Sequence, residues 1–158
     1  MRTPRTFRRR CAQCVAAVAL ASLAPAALAT GVFVVNYPWA RPAAKGAATE
    51  VFMELTAVDG GALVGARSDI AGNASLVGPG KAAAPVERLA LVAGAPVVLV
   101  PGSYRVRLSG LTRTLKLGDR VPLVLIVEVP DGKRVEVIAD AEVLRRSTVD
   151  DHLSSRHH

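Results

Sequence analysis

Val121-Pro122-Leu123-Val124-Leu125-Ile126-Val127-Glu128-Val129, Pro130-Asp131-Gly132-Lys133, and Arg134-Val135-Glu136-Val137-Ile138-Ala139-Asp140-Ala141-Glu142-Val143 form the run that decides the fold. Two apolar arms flank a Pro-Asp-Gly turn, which predicts a β-hairpin. In the second arm Val135, Val137, Ala139, Ala141 and Val143 alternate with Arg134, Glu136, Asp140 and Glu142, so one face is buried and the other is wet. Ile138 is the one apolar residue on the polar side. Working back along the chain, Tyr104 to Leu108 alternates Tyr104, Val106 and Leu108 with Arg105 and Arg107. A strand period of two therefore puts both arginines on one face. Val97 to Val100 ends at Pro101-Gly102, Ala62 to Arg67 follows Asp59-Gly60-Gly61, and Glu50 to Val58 and Gly31 to Tyr37 complete the strand candidates. Residues 73 to 86 have little periodicity and read as a loop crossing between sheets. Short strands at this spacing predict an all-β, immunoglobulin-like sandwich, with no internal repeat and no second domain.

The overall charge misleads until it is located. The 158 residues carry 20 Lys plus Arg against 13 Asp plus Glu, a net charge of +7. Arg2, Arg5, Arg8, Arg9 and Arg10 all precede the first apolar run, and no acid occurs before Glu50. A basic start, an Ala/Val/Leu stretch from Val15 to Leu28 and the small-x-small site Ala27-Leu28-Ala29 read as a secretory signal peptide over residues 1–29. A retained membrane anchor fits less well, because Gln13 and Pro25 keep the apolar run below the roughly 20 residues that span a bilayer. Arg9-Arg10 suggests twin-arginine export, but Cys11-Ala12-Gln13 lacks the large apolar pair that such signals prefer, which leaves the export route open. Cys11 and Cys14 come too early for a lipoprotein cleavage point.

Cleavage after Ala29 leaves 15 basic and 13 acidic side chains, a net charge of +2, and no cysteine. The mature protein is then periplasmic or secreted, with a domain over 30–146, a polar tail over 147–158 and no membrane span. It has no disulfide, thiolate metal site or cysteine nucleophile. Such a balanced charge argues against nucleic acid as a partner. All three histidines, His152, His157 and His158, lie in the tail, so a Ser-His-Asp arrangement has no base inside the domain. No local motif selects a carboxylate pair, and Gly60-Gly61 and Gly78-Pro79-Gly80 lack the strand-to-helix context of a phosphate loop. No catalytic residue emerges, and the chain reads as a non-enzyme.

Several segments, taken in order over about residues 31 to 143, resemble the periplasmic copper chaperones of the PCu(A)C type. Trp39-Ala40-Arg41 is similar to that family's W-A-R segment, and Val51-Phe52-Met53-Glu54-Leu55 to its next strand. Leu63-Val64-Gly65-Ala66-Arg67-Ser68 resembles L-V-G-A-S-S except at Arg67. Leu99-Val100-Pro101-Gly102 resembles L-x-P-G-G, with Ser103 for the second Gly, and Gly110-Leu111, Leu115 to Asp119 and Val121-Pro122-Leu123 continue the match. The resemblance implies a cupredoxin-like β-sandwich that carries copper without catalysis, in copper homeostasis or oxidase assembly.

The resemblance further implies a Cu(I) site of two His and two Met, the last pair written His-x-Met, a soft donor set suited to Cu(I). Those last two positions fall on Arg105 and Arg107, the first Met on Ala83 and the first His on Val77. Copper is thus implied by the family alone, with its usual ligands absent, and the cofactor stays unknown. Met53, the only mature Met, reads as a core filler. Two candidate sites remain. His152, His157 and His158 could hold Cu(II) or Zn through imidazole nitrogens. Arg105 and Arg107 could converge on an anion or an acidic periplasmic protein partner. As solvent-facing residues, both arginines should be replaceable by Gln at a cost within about 0.5 kcal/mol.

Overall fold

The computed structural model describes residues 32–145 apart from Lys81 and Ala83. The signal segment expected over 1–29 and the tail with His152, His157 and His158 lie outside the described residues. Nine strands follow in chain order: β1 (Phe33–Ala40), β2 (Thr49–Ala57), β3 (Gly61–Arg67), β4 (Ala71–Val77), β5 (Leu89–Leu91), β6 (Pro96–Leu99), β7 (Arg105–Leu111), β8 (Arg120–Glu128) and β9 (Arg134–Val143). Among the described residues there is no helix, and the all-β expectation holds.

The β8–β9 hairpin pairs in unbroken register from Arg120↔Glu142 to Glu128↔Arg134. Its turn closes as the sequence chemistry requires. Gly132 N–H donates to the Val129 carbonyl at 2.9 Å, and Gly132 holds φ +84°, where a Cβ would be strained. Val121, Leu123, Leu125 and Val127 point into the core from β8, while Ile138 on β9 is 82 % exposed. The β2–β3 turn needs its glycine for a different reason. A Cβ on Gly61 would stand 2.5 Å from the Glu128 carbonyl oxygen, so the backbone of β8 occupies the space a side chain would need.

One hydrogen-bonded path runs β4-β7-β2-β1-β9-β8-β3-β5. On one edge, β2 pairs with β7 over Thr49–Val51 and then with β6 over Met53–Thr56. The seam between the two halves of the path is short and parallel, Trp39 and Ala40 of β1 against Glu142 and Val143 of β9. Curling about that seam lets Val51, Met53, Leu55, Val106 and Leu108 from one half share a single core with Leu63, Val121, Leu123, Leu125 and Val127 from the other. A sheet folded on itself hides one apolar face from each half, as a sandwich does. Met53 is fully buried in that core.

The segment read as a loop over 73–86 needs correction. Its first part belongs to β4, which pairs with β7 from Ala71↔Leu111 to Val77↔Arg105. The sequence Ala-Gly-Asn-Ala-Ser-Leu-Val carries little β propensity of its own, and its strand conformation comes from the ladder to β7. β5, three residues long, was likewise not expected from the sequence and is held by pairing to β3.

Candidate functional site

The site is built on the outer face of the β4-β7-β2-β1 half. Cross-strand partners share a face, so the register decides which side chains meet. Glu50 lies opposite Arg107, Ser75 opposite Arg107 on the other side, and Val77 opposite Arg105. Val106 and Leu108 are fully buried in the core, which leaves Arg105 and Arg107 together on the outer face, as period two requires.

A bulge brings the aromatics to the same face. The β1–β2 register shifts between Asn36 and Trp39, with Tyr37 at φ +50°. The extra residue reverses the alternation, so that Trp39 pairs with Phe52 and Ala40 faces the core with Val51. The Trp39 and Phe52 rings stack with centroids 4.4 Å apart, and the Arg41 guanidinium carbon sits 5.4 Å from the Phe52 centroid. Arg41 has a fixed backbone as well. Its carbonyl accepts from Thr49 Oγ1 at 2.7 Å, and its N–H donates to the Glu50 carbonyl at 3.3 Å. Trp39 Nε1 is buried without a hydrogen-bond partner among the described residues.

The two arginines differ sharply in environment. Arg105 has a side chain only 7 % exposed, and its Nε donates to Glu50 Oε1 at 2.6 Å. Its Nη1 donates to the carbonyls of Gly78 at 3.0 Å and Ser103 at 2.8 Å, and its Nη2 to that of Gly80 at 3.4 Å. The expectation that Arg105 faces solvent and can be replaced freely is therefore corrected. A planar guanidinium with five donors suits this niche, where one carboxylate and three backbone carbonyls converge. Arg107, two residues on, is exposed and makes no ion pair among the described residues, because the Glu50 carboxylate opposite it is turned to Arg105.

Of the four positions to which the resemblance assigns metal ligands, three come together here. Val77 is 1 % exposed and adjacent to Arg105 in the β4–β7 ladder, with Arg107 next along β7. Ala83 lies outside the described residues. Valine offers no donor atom, and a guanidinium offers neither a lone pair nor a neutral charge to a cation. These side chains do not fit Cu(I). Among the described residues, no group of three or more His, Cys, Asp and Glu could hold a metal ion.

Beside Arg105 a cleft of about 370 Å³ opens between the chain after β1 and the β2–β7 ladder. It is lined by Arg41 and Pro42 after β1, by Ala48, Thr49 and Glu50 at the start of β2, and by Arg105 and Arg107 of β7. Sequence reasoning found the two β7 arginines and missed Glu50 and Arg41. A signal for Glu50 was present, since it is the first acid of the chain and stands on a strand beside the arginine strand. Arg41 entered only through the Trp39-Ala40-Arg41 resemblance, which gave it no role.

Residues 33–141 match the family model described as "Putative lipoprotein LpqE-like". Among solved structures, the apo PCuAC domain from PmoF1 is 23% identical and superposes with a TM-score of 0.63, covering 73% of this chain and 96% of that one. The copper-bound PCuAC domain from PmoF2 is also 23% identical, with a TM-score of 0.59 over 72% of this chain and 92% of that one. The solution structure of CuI-DR1885 from Deinococcus radiodurans is 28% identical, with a TM-score of 0.53 over 76% of this chain and 84% of that one. No curated protein sequence matches the chain.

Proposed function

Because this chain belongs to the LpqE-like family and carries the β-sandwich of the PCuAC domains, we propose that it is an exported, non-enzymatic binding protein whose Cu(I) centre has been replaced by a buried arginine. The observation that carries this reading is Arg105, held by Glu50 and by the carbonyls of Gly78, Gly80 and Ser103 at the position where the resemblance expects a ligand. A site that binds Cu(I) has soft donors pointing inward at an exchangeable cation. Here the cation is tethered to β7, and the surrounding oxygens accept its hydrogen bonds. The exchange of a mobile ion for a fixed guanidinium keeps the neighbouring backbone tied to β7 and ends ligand exchange.

Export is supported by the basic and apolar start of the sequence and by the lipoprotein description of the family. Both cysteines precede the apolar run Val15 to Leu28, so we place the mature protein in the periplasm or outside the cell without a lipid on cysteine.

Competition with a Cu(I) chelator, on protein beginning at Thr30, tests the copper reading. Expected is no stoichiometric, chelator-resistant Cu(I), and a tight one-to-one complex would overturn the proposal. In the same experiment Cu(II) or Zn binding should vanish when residues 147–158 are deleted, since no histidine precedes His152. Retained stoichiometric binding would place a site elsewhere.

A second reading, recognition of an acidic partner through the arginine face, is favoured by Arg107, which lines the cleft, is exposed and has no ion pair among the described residues. It predicts a periplasmic partner captured at low salt and lost at high salt, because screening weakens exposed charge pairs. A partner set unaffected by salt would count against it.

A further inference from the structure

We propose that the cleft between Arg41 and Arg107 is a binding site for paired carboxylates, with Arg105 as its buttress and not one of its ligands. The inference deepens the recognition reading and is independent of the copper one. It starts from a mismatch on the outer face. Glu50 stands directly opposite Arg107 in the β2–β7 ladder, where a cross-strand ion pair would ordinarily form. Instead Glu50 Oε1 is 2.6 Å from Arg105 Nε. The carboxylate is committed to the buried guanidinium, and Arg107 is left exposed with no ion pair among the described residues.

Across the cleft Arg41 is in the same condition. It makes no ion pair among the described residues, and its guanidinium lies against the Phe52 ring. Its backbone is clamped between Thr49 and Glu50, which fixes where the side chain starts beside the cleft. Stacking on an aromatic orients the guanidinium plane and leaves its N–H edges to a ligand. The cleft thus holds three guanidinium groups and one carboxylate, a net charge of +2 in a concavity of about 370 Å³. Two carboxylates match that charge, and each planar fork can take one of them through two parallel hydrogen bonds. Pro42 and Ala48 supply an apolar wall for the short carbon chain between them. A free dicarboxylate and two adjacent acidic side chains of a peptide present this same chemistry.

Calorimetric titration of the full chain with succinate, with an acetylated and amidated Asp-Asp dipeptide, and with inorganic phosphate tests the proposal. Expected is saturable one-to-one binding of at least one carboxylate probe at low ionic strength, lost in high salt. R41Q and R107Q should each weaken it by about tenfold, the loss of one charge-assisted contact. R134Q, an exposed arginine at the far hairpin, should leave it unchanged. Comparable binding of succinate and dipeptide would identify a free dicarboxylate site, and dipeptide binding at least tenfold tighter would identify a peptide site. Both arginines are exposed, so the variants should keep the wild-type thermal midpoint. The proposal is overturned if no carboxylate probe saturates, if R41Q and R107Q bind like wild type, or if phosphate binds more tightly than both carboxylate probes. A salt-sensitive partner that R107Q loses and R41Q still captures would preserve the recognition reading while removing this site.

Discussion

Arg105 and Arg107 show how two residues of one type, on one strand and one face, acquire different physics. The identity of a side chain sets what it can donate, and its burial sets what that donation is worth. Arg107 keeps its hydration, so R107Q should change stability by no more than about 0.5 kcal/mol. Arg105 has exchanged water for Glu50 and three carbonyls, and its removal strands those acceptors. Breaking a fully buried pair costs about 3–5 kcal/mol, and the 29 % exposure of the Glu50 side chain lowers the expected cost of R105Q to about 2–3 kcal/mol. R105K keeps the charge but loses the fork, and should fall between wild type and R105Q. Urea denaturation of the three variants checks the order. Equal stability of R105Q and R107Q would show that Arg105 does not anchor the Gly78 and Gly80 backbone to β7.

At the scale of the element, the β8–β9 turn makes a pH prediction. The Asp131 carboxylate accepts from the Lys133 backbone N–H at 2.9 Å, and the Lys133 ammonium lies 3.1 Å away. The backbone hydrogen bond first, and then the lysine side chain, hold the Asp131 carboxyl below its ordinary value. A depressed carboxyl stabilises the fold above the unfolded value, near pH 4, and loses that contribution as pH falls through the folded value. The thermal midpoint of D131N should therefore lie below wild type at pH 7, and the gap should close below pH 4. A gap independent of pH would assign the effect to packing of the turn. This hairpin was legible in the sequence because alternation, Pro, Asp and Gly all point to one structure. β4 was not legible, because nothing in Ala71–Val77 prefers a strand until β7 pairs with it. The site was half legible for a related reason. Period two placed Arg105 and Arg107 on one face, but their separation into a buried anchor and an exposed cation depends on Glu50, 55 residues away in sequence.

For the whole molecule, the question is whether the two halves of the curled sheet are one cooperative unit. The strand ladder joins them through a parallel seam of two residue pairs, Trp39↔Glu142 and Ala40↔Val143, and their apolar faces form one core. If the seam alone joined them, β4-β7-β2-β1 could open while the β8–β9 hairpin remained folded. A shared core makes that costly, because opening either half exposes the apolar face of the other, at roughly 25 cal/mol for each Å² returned to water. Trp39 is the only tryptophan of the chain, is 2 % exposed and sits on the seam, so its fluorescence reports the joint itself. Far-ultraviolet circular dichroism reports all nine strands. Urea unfolding followed by both signals should give coincident single transitions with equal midpoints. A Trp39 transition at lower urea than the dichroism change would mean that the halves separate before they unfold, and would place the cohesion of the domain in each half and not in the core between them.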